Sequence, residues 1–292
     1  MSLGGDQEMP VYLRPHNLEE ALGALQQQPL TVLAGGTDHY PARVGQPLDD
    51  DLLDLTNISA LRGIEDVGET WRIGALTTLR DIIRTDLPAC FDGLKAAARE
   101  IGGVQIQNAG TIAGNICNAS PAADGVPNLM ALDATVELAR TGAVRRLPVA
   151  DFVTGNRTTV LARDEVVTAI YVPKLTDAAD SAFLKLGARK YLVISIVMIG
   201  IVLVPVDGVV GEVRIAVGAC APVSRRLRAL EEALTGRRLD AVLGEAVDMT
   251  PLAGVLSPID DMRGSATYRL DAAIAMLRRG LNILGSRMGE LP

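Results

Sequence analysis

Histidine is almost missing from this chain: His16 and His39 are the only two in 292 residues. Nothing resembles a Ser-His-Asp triad or a carboxylate pair built for hydrolysis. Aromatic residues are 3% of the total, so the core must be aliphatic. Cysteine is scarce as well. Cys90, Cys117 and Cys220 are widely spaced, with no CxxC and no Cys/His cluster. Neither a zinc site nor a full set of iron–sulfur ligands is available within the chain, and a reducing cytoplasm is the simplest compartment. Positive charge is not concentrated. The net charge is -7, and basic residues form only short pairs such as Arg145-Arg146 and Arg225-Arg226, which argues against a nucleic-acid partner. The opening MSLGGDQEMP has no basic n-region and no apolar core. It reads as a leader or a disordered tip rather than a signal peptide.

Long apolar runs are also rare. The strongest, YLVISIVMIGIVLVPV at residues 191–206, is shorter than a typical membrane span and rich in Val and Ile. Asp207-Gly208 follows it as a hairpin turn signal, and EVRIAVGA begins at Glu212. The pattern predicts a buried antiparallel hairpin and no membrane span.

The chain is long enough for about two domains, and 48% apolar residues give a sizeable core. A helix is expected over 18–27, with Asn17 as cap, Glu20 as capping-box partner, and Pro29 ending it. Short strands are expected at LTVLA, LLDLTNI and residues 71–75. Thr77 or Thr78 caps a helix at TTLRDII, and a longer helix over 91–100 closes at Gly102-Gly103. ATVELA, the 145–149 region and DEVVTAIYVP read as strands. TDAADS, residues 176–181, is a candidate domain boundary. Ser224 is expected to cap RRLRALEEALTG, whose Leu227, Leu230 and Leu234 share a face and whose Gly236 stops it. A last helix is expected over 270–284. Strands and helices mix without strict βαβ alternation, which predicts an α+β fold.

Two segments carry the chemistry. TIAGNICNASPAAD, residues 111–124, is built of small and uncharged polar residues and ends in one carboxylate. A core strand would hold larger apolar side chains, and a solvated loop more charge. Gly114 would let a backbone approach a ligand closely. Thr111 and Ser120 offer hydroxyls, Asn115 and Asn118 offer amides, and Asp124 could accept a ribose hydroxyl. LAGGTD, residues 33–38, has the same character, and successive N–H groups around Gly35 and Gly36 could converge on a pyrophosphate. A polar turn is the plainer reading of either segment alone. GGTD does not match the GxGxxG fingerprint, so a Rossmann site is not supported. Together the two suggest a dinucleotide held between them.

The order YLRPHNLEEAL, LAGGTD, IGALTTLRDI, QNAGTIAGNICNASPAAD, DEVVTAIYVP, FLKLGARK, VRIAVGACAPVSRRLRALEEALTG and DMRGSATYRL resembles the FAD-binding subunit of the molybdenum hydroxylases. That family includes the medium subunit of carbon monoxide dehydrogenase and the FAD domain of xanthine dehydrogenase. The resemblance implies a two-lobed FAD cradle of the PCMH type, with lobes at 1–57 and 58–176. A C-terminal α+β domain at 177–292 would carry a small antiparallel sheet and helices.

The resemblance also implies site residues. Leu33, Ala34, Gly35, Gly36, Thr37 and Asp38 would wrap the pyrophosphate, with His39 in reach of a phosphate. Thr111, Gly114 and Asn115 would form the second loop, with Ser120 and Asp124 further along. Val167 would touch flavin or adenine, Lys185 would lie near the isoalloxazine, and Tyr191 would lie beside the ring. The family often has an acidic residue after the lysine, where this chain has Lys190-Tyr191-Leu192. No Cys-rich insertion follows Asp124, so Cys117 reads as a small buried thiol without cluster partners.

By the same resemblance this chain transfers electrons and carries no acid, base or metal ligand of its own. The molybdenum cofactor would sit on a large partner subunit and two [2Fe-2S] clusters on a small one. A standalone flavin-binding or assembly protein and a self-contained FAD oxidase are the rival readings.

Overall fold

A computed structural model of the chain describes residues 9–47, 49–248, 252 and 254–289. The reading of the opening decapeptide falls almost wholly outside them.

The first lobe is a three-stranded parallel sheet. β1 (Tyr12–Leu13) and β2 (Thr31–Leu33) flank β3 (Leu52–Asp54), and α1 (Leu18–Gln27) makes the crossover between β1 and β2. Asn17 caps α1 by accepting from the Glu20 N–H. The Glu20 carboxylate returns to the His16 N–H and the Asn17 amide, one residue earlier than a capping box would place it. Ala21, Leu22 and Leu25 of α1 pack on Leu53, Leu55, Ile58 and Leu61, and the cluster extends to Leu76, Ala139 and Val166 beyond.

The second lobe holds β4 (Ile64–Asp66), β5 (Thr70–Gly74), α2 (Leu79–Arg84), α3 (Asp92–Glu100), α4 (Val104–Ala109), α5 (Ile112–Cys117) and α6 (Gly125–Ala131). It continues with β6 (Thr135–Arg140), β7 (Ala143–Pro148), α7 (Val149–Phe152), β8 (Val153–Gly155), β9 (Thr158–Thr159) and β10 (Val166–Pro173). Its main sheet is antiparallel, in the order β4-β5-β10-β6-β7. Thr78 and Asp81 form a reciprocal capping box on α2. One expectation changes here: residues 111–124 are not an open loop. Residues 104–109 ahead of them are helical. Thr111 caps α5, and a turn then leads into α6. The small side chains of this segment allow tight helical turns as readily as a loop.

The third region pairs β11 (Asp180–Leu186), β12 (Val197–Val206), β13 (Val209–Gly218) and β14 (Arg225–Arg226) in that order, all antiparallel. α8 (Arg228–Leu234) and α9 (Ala266–Gly289) follow. Asp207 and Gly208, both at positive φ, turn β12 into β13. The apolar run is a strand only from Val197. Before it Tyr191, Leu192 and Ile194 stand exposed.

β12 is apolar throughout because both its faces are covered. Val197, Ile199, Ile201 and Leu203 pack with Leu277, Leu281 and Leu284 of α9. On the other face a side chain at Gly200 would press on the α6 backbone at Pro127 and Asn128. Each fully buried aliphatic side chain contributes about 1.5–3 kcal/mol, so this strand carries much of the third core. Ser224 does not cap α8. Arg225 and Arg226 pair with β13 instead, and the helix starts at Arg228 without a side-chain cap. The charge partners of Arg226 hold it in strand geometry, as described below. Among the described residues no helix is long and apolar enough to cross a membrane.

Candidate functional site

β2 ends at Leu33, which is buried, and the chain turns at Gly36 with φ +67. Only glycine adopts this region without strain. The turn is closed by the Tyr40 N–H donating to the Gly36 carbonyl. A Cβ at Gly35 would collide with the Ala109 carbonyl at the end of α4. A Cβ at Gly110 would lie 3.4 Å from Thr37 Oγ1. The 33–38 turn is therefore seated directly against the entry to the 111–124 segment, and the two glycine segments adjoin.

That entry is fixed from the other side by α2. The Leu79 N–H donates to the Gly110 carbonyl at 2.9 Å, and the Ile112 N–H to Thr77 O at 3.1 Å. Thr111 Oγ1 accepts from the Gly114 N–H at 3.0 Å. Beyond the backbone of its own helix, a Cβ at Gly114 would meet that same hydroxyl among the described residues, at 3.0 Å. Asn115 Oδ1 is buried and finds no hydrogen-bond donor among the described residues. Neither does His39 Nε2, which lies 3.8 Å from Asp50 Oδ2. Burial first, and the nearby Arg43 second, push the His39 pKa down, so its imidazole is neutral at pH 7.

Further along, Ser120 Oγ accepts from the Ala122 N–H at 3.2 Å. Asn118 is clasped by Arg157 from the turn between β8 and β9.

Asp124 stands apart from this group. It is 5% exposed, and both its oxygens are used within the chain. Lys185 Nζ donates to Oδ2 at 2.6 Å and Ser195 Oγ to Oδ1 at 2.5 Å. Within the chain its partners are on β11 and in the loop before β12. Desolvation raises its pKa, while Lys185 and Ser195 oppose the rise.

Lys185 lines a cavity of about 420 Å³ with Ala96 and Glu100 of α3, Phe183 and Leu186 of β11, and Gly187, Arg189, Lys190 and Val193 beyond it. Tyr191 is 62% exposed and is not among the lining residues, although Lys190 Nζ lies 5.1 Å from its ring centroid. Val167 is a core residue, 5% exposed and packed within the second-lobe cluster beside a β-irregularity. A shallower depression of about 630 Å³ on α9 shares no residue with either group.

Sequence reasoning missed Ser195 and Glu100. Ser195 carries a signal: a lone hydroxyl inside an apolar run needs a partner when buried. Glu100 carries none that separates it from any solvated helix end. Among the described residues no group of three or more His, Cys, Asp or Glu could hold a metal ion.

The arrangement suits FAD. Two backbone segments of small residues meet, two buried polar atoms lack partners, and a cavity with lysine and arginine on its wall opens beyond Asp124. The family model for the FAD binding domain in molybdopterin dehydrogenase matches residues 6–175. The chain belongs to this family. The CO dehydrogenase flavoprotein C-terminal domain matches residues 182–284.

The similarity to whole relatives runs nearly end to end. The nicotine 6-hydroxylase medium subunit of Paenarthrobacter nicotinovorans is 30% identical over 281 residues, covering 94% of this chain and 97% of that one. The carbon monoxide dehydrogenase medium chain of Hydrogenophaga pseudoflava is 30% identical over 282 residues, with the same coverage. The solved reconstituted CO dehydrogenase from Oligotropha carboxidovorans superposes with a TM-score of 0.87 at 28% identity, covering 98% of this chain and 99% of that one. The chain is thus an FAD-binding oxidoreductase subunit of the molybdenum hydroxylase family, with the α+β architecture its sequence predicts.

Proposed function

We propose that this chain passes electrons within a three-subunit complex. They come from a molybdenum cofactor on a large partner, through [2Fe-2S] clusters on a small one, and leave to a terminal acceptor. The supporting observation is the seating of Gly35 against Ala109, which sets the two glycine segments side by side. FAD, when bound, supplies a centre that exchanges electrons singly or in pairs.

The chain's residues bind and orient it. Backbone N–H groups of residues 33–38 would hold the pyrophosphate, with the Thr111–Asn115 turn, whose Ile112, Gly114 and Asn115 N–H groups are bonded within the chain, packed beside it. Asn115 Oδ1 and His39 Nε2, both without hydrogen-bond partners among the described residues, would be completed by the ligand. Ser120 would lie on the same path, and Lys185 would face the isoalloxazine from the cavity wall. Tyr191 stands at the outer rim. The cytoplasm is the compartment such a complex fits.

Purified protein is expected to take up FAD and show flavin absorption. Gly114→Leu, whose Cβ would press on the α5-capping Thr111 hydroxyl at 3.0 Å, is expected to lose FAD by at least about tenfold in affinity, with a melting curve separating this loss from a loss of fold. Wild-type affinity in that variant would misplace the pyrophosphate. Co-expression with large and small subunits should yield a complex in which substrate reduces the flavin. Reduction of the lone chain by substrate would favour a self-contained oxidase instead.

A further inference from the structure

We propose that Ser195 is a positioning residue for the flavin site: its hydroxyl fixes the Asp124 carboxylate, and Asp124 in turn holds the Lys185 ammonium at the cavity wall. The inference rests on the FAD reading above.

The geometry is a relay of two contacts. Ser195 Oγ donates to Asp124 Oδ1 at 2.5 Å, and Lys185 Nζ donates to Asp124 Oδ2 at 2.6 Å. Ser195 is 2% exposed, and Asp124 is the one partner its hydroxyl has among the described residues. Lys185 is the only member of the three that lines the cavity. The serine therefore reaches that space only through the aspartate.

Burial alone would neutralise Asp124, and Glu100 adds to that tendency. Two hydrogen bonds to the charged form oppose it. Losing one leaves a buried oxygen unsatisfied and shifts the balance toward the protonated acid. The Lys185 charge is then uncompensated. Its field favours the electron-rich form of whatever sits in the cavity. Ser195 thus tempers the lysine and keeps it tethered away from the cavity's centre. The other charges on this wall are Glu100 of α3, Arg189, which is spent on the Tyr191 and Leu192 carbonyls, and Lys190 beside Tyr191.

The test is the midpoint potential of FAD bound to the full chain, read by spectroelectrochemical titration, together with a melting curve. Ser195→Ala is expected to raise the potential in the same direction as Asp124→Asn and by less. Ser195→Thr should restore the wild-type value, and Ser195→Ala should add nothing in the Asp124→Asn background. A potential unchanged in Ser195→Ala, or shifted equally in both backgrounds, overturns the inference and leaves the FAD reading intact. Wild-type protein that binds no FAD overturns both. Loss of FAD from Ser195→Ala with a wild-type melting curve supports positioning. If that variant does not fold, Ser195→Cys keeps the volume with a weak donor. It should shift the potential partway, and a wild-type value there overturns the proposal.

Discussion

The helix α6 is tied to the third domain at both ends, by very different means. Before its N-terminus one carboxylate, Asp124, meets one lysine and one hydroxyl. Beyond its C-terminus the ties multiply. Arg226 donates to Glu231 at 2.7 and 2.9 Å, to Asp133 at 2.6 Å and to the Met130 carbonyl at 2.8 Å. Arg214 adds a contact to Asp133 at 3.2 Å and one to Glu212 at 2.5 Å. Glu231 also accepts the Ile215 N–H. The C-terminal cluster is a redundant clamp in which Arg226, Arg214, Asp133 and Glu231 each have several partners. The N-terminal pair has no redundancy, and it is the one beside the cavity. Redundancy suits a contact that only has to hold, whereas a sparse pair leaves a charge that its surroundings can tune.

The sharpest way to break this contrast is Arg226→Ala. It strips both the buried Glu231 and the α6 C-terminus of their principal donor. A loss of about 3–5 kcal/mol in denaturant-measured stability is expected, with the potential of bound FAD unchanged. A shift in that potential would mean that the clamp also reaches the cavity.

Lys185→Met is the matching change at the sparse end. It leaves Asp124 buried with only Ser195, at a cost of about 2–3 kcal/mol at pH 7 because the acid can protonate instead. The sign follows from the raised pKa of Asp124. A carboxyl that is more basic when folded takes up a proton on folding. Its favourable contribution is full below the unfolded value of 3.8 and is lost as pH rises through the folded value. The variant raises that folded value further. Melting curves of variant and wild type should therefore converge as pH falls to about 4. A gap that persists there would point to lost packing of the lysine stem.

A smaller effect separates the Ser195 loop from both ends. Asp261 is held at a pKa of about 2 by the Arg263 N–H and then by Arg269 and Arg263. Arg269 also donates to the Ile196 carbonyl at 2.6 Å, next to Ser195. Asp261→Asn is expected to cost about 1 kcal/mol at pH 7, solvent screening the remainder. Because this pKa is depressed, the contribution is present above the unfolded value of 3.8 and fades as pH falls through about 2. Acid titration of the melting temperature in both proteins checks this.

What could be read from the sequence was what local chemistry controls. Asn17 and Thr78 are caps because a short polar side chain reaches its own helix N-terminus, and Asp207-Gly208 is a turn because both residues tolerate positive φ. The two glycine segments stood out through composition, and they do adjoin. The failures are non-local. Ser224 has the look of a cap, but Arg226 is drawn into a strand by Asp133 and Glu231, which no short window reports. The 111–124 segment is partly helical because Thr111 caps α5 while Thr77 and Leu79, more than thirty positions earlier, fix its entry. The donors to Asp124 were likewise out of reach of a short window, because they arrive from 61 and 71 positions away. The burial of Val167 is decided by sheet register.

Every residue of α6 is buried, and part of that cover is supplied by β12 and β13, which leave the ribosome some seventy positions later. While the polypeptide is still being made, the finished N-terminal lobes must wait with this helix uncovered. The two family regions therefore share one buried helix. A chain cut near residue 175 would present a greasy, half-finished surface, and a stalled synthesis product of that length is the natural quarry of chaperones.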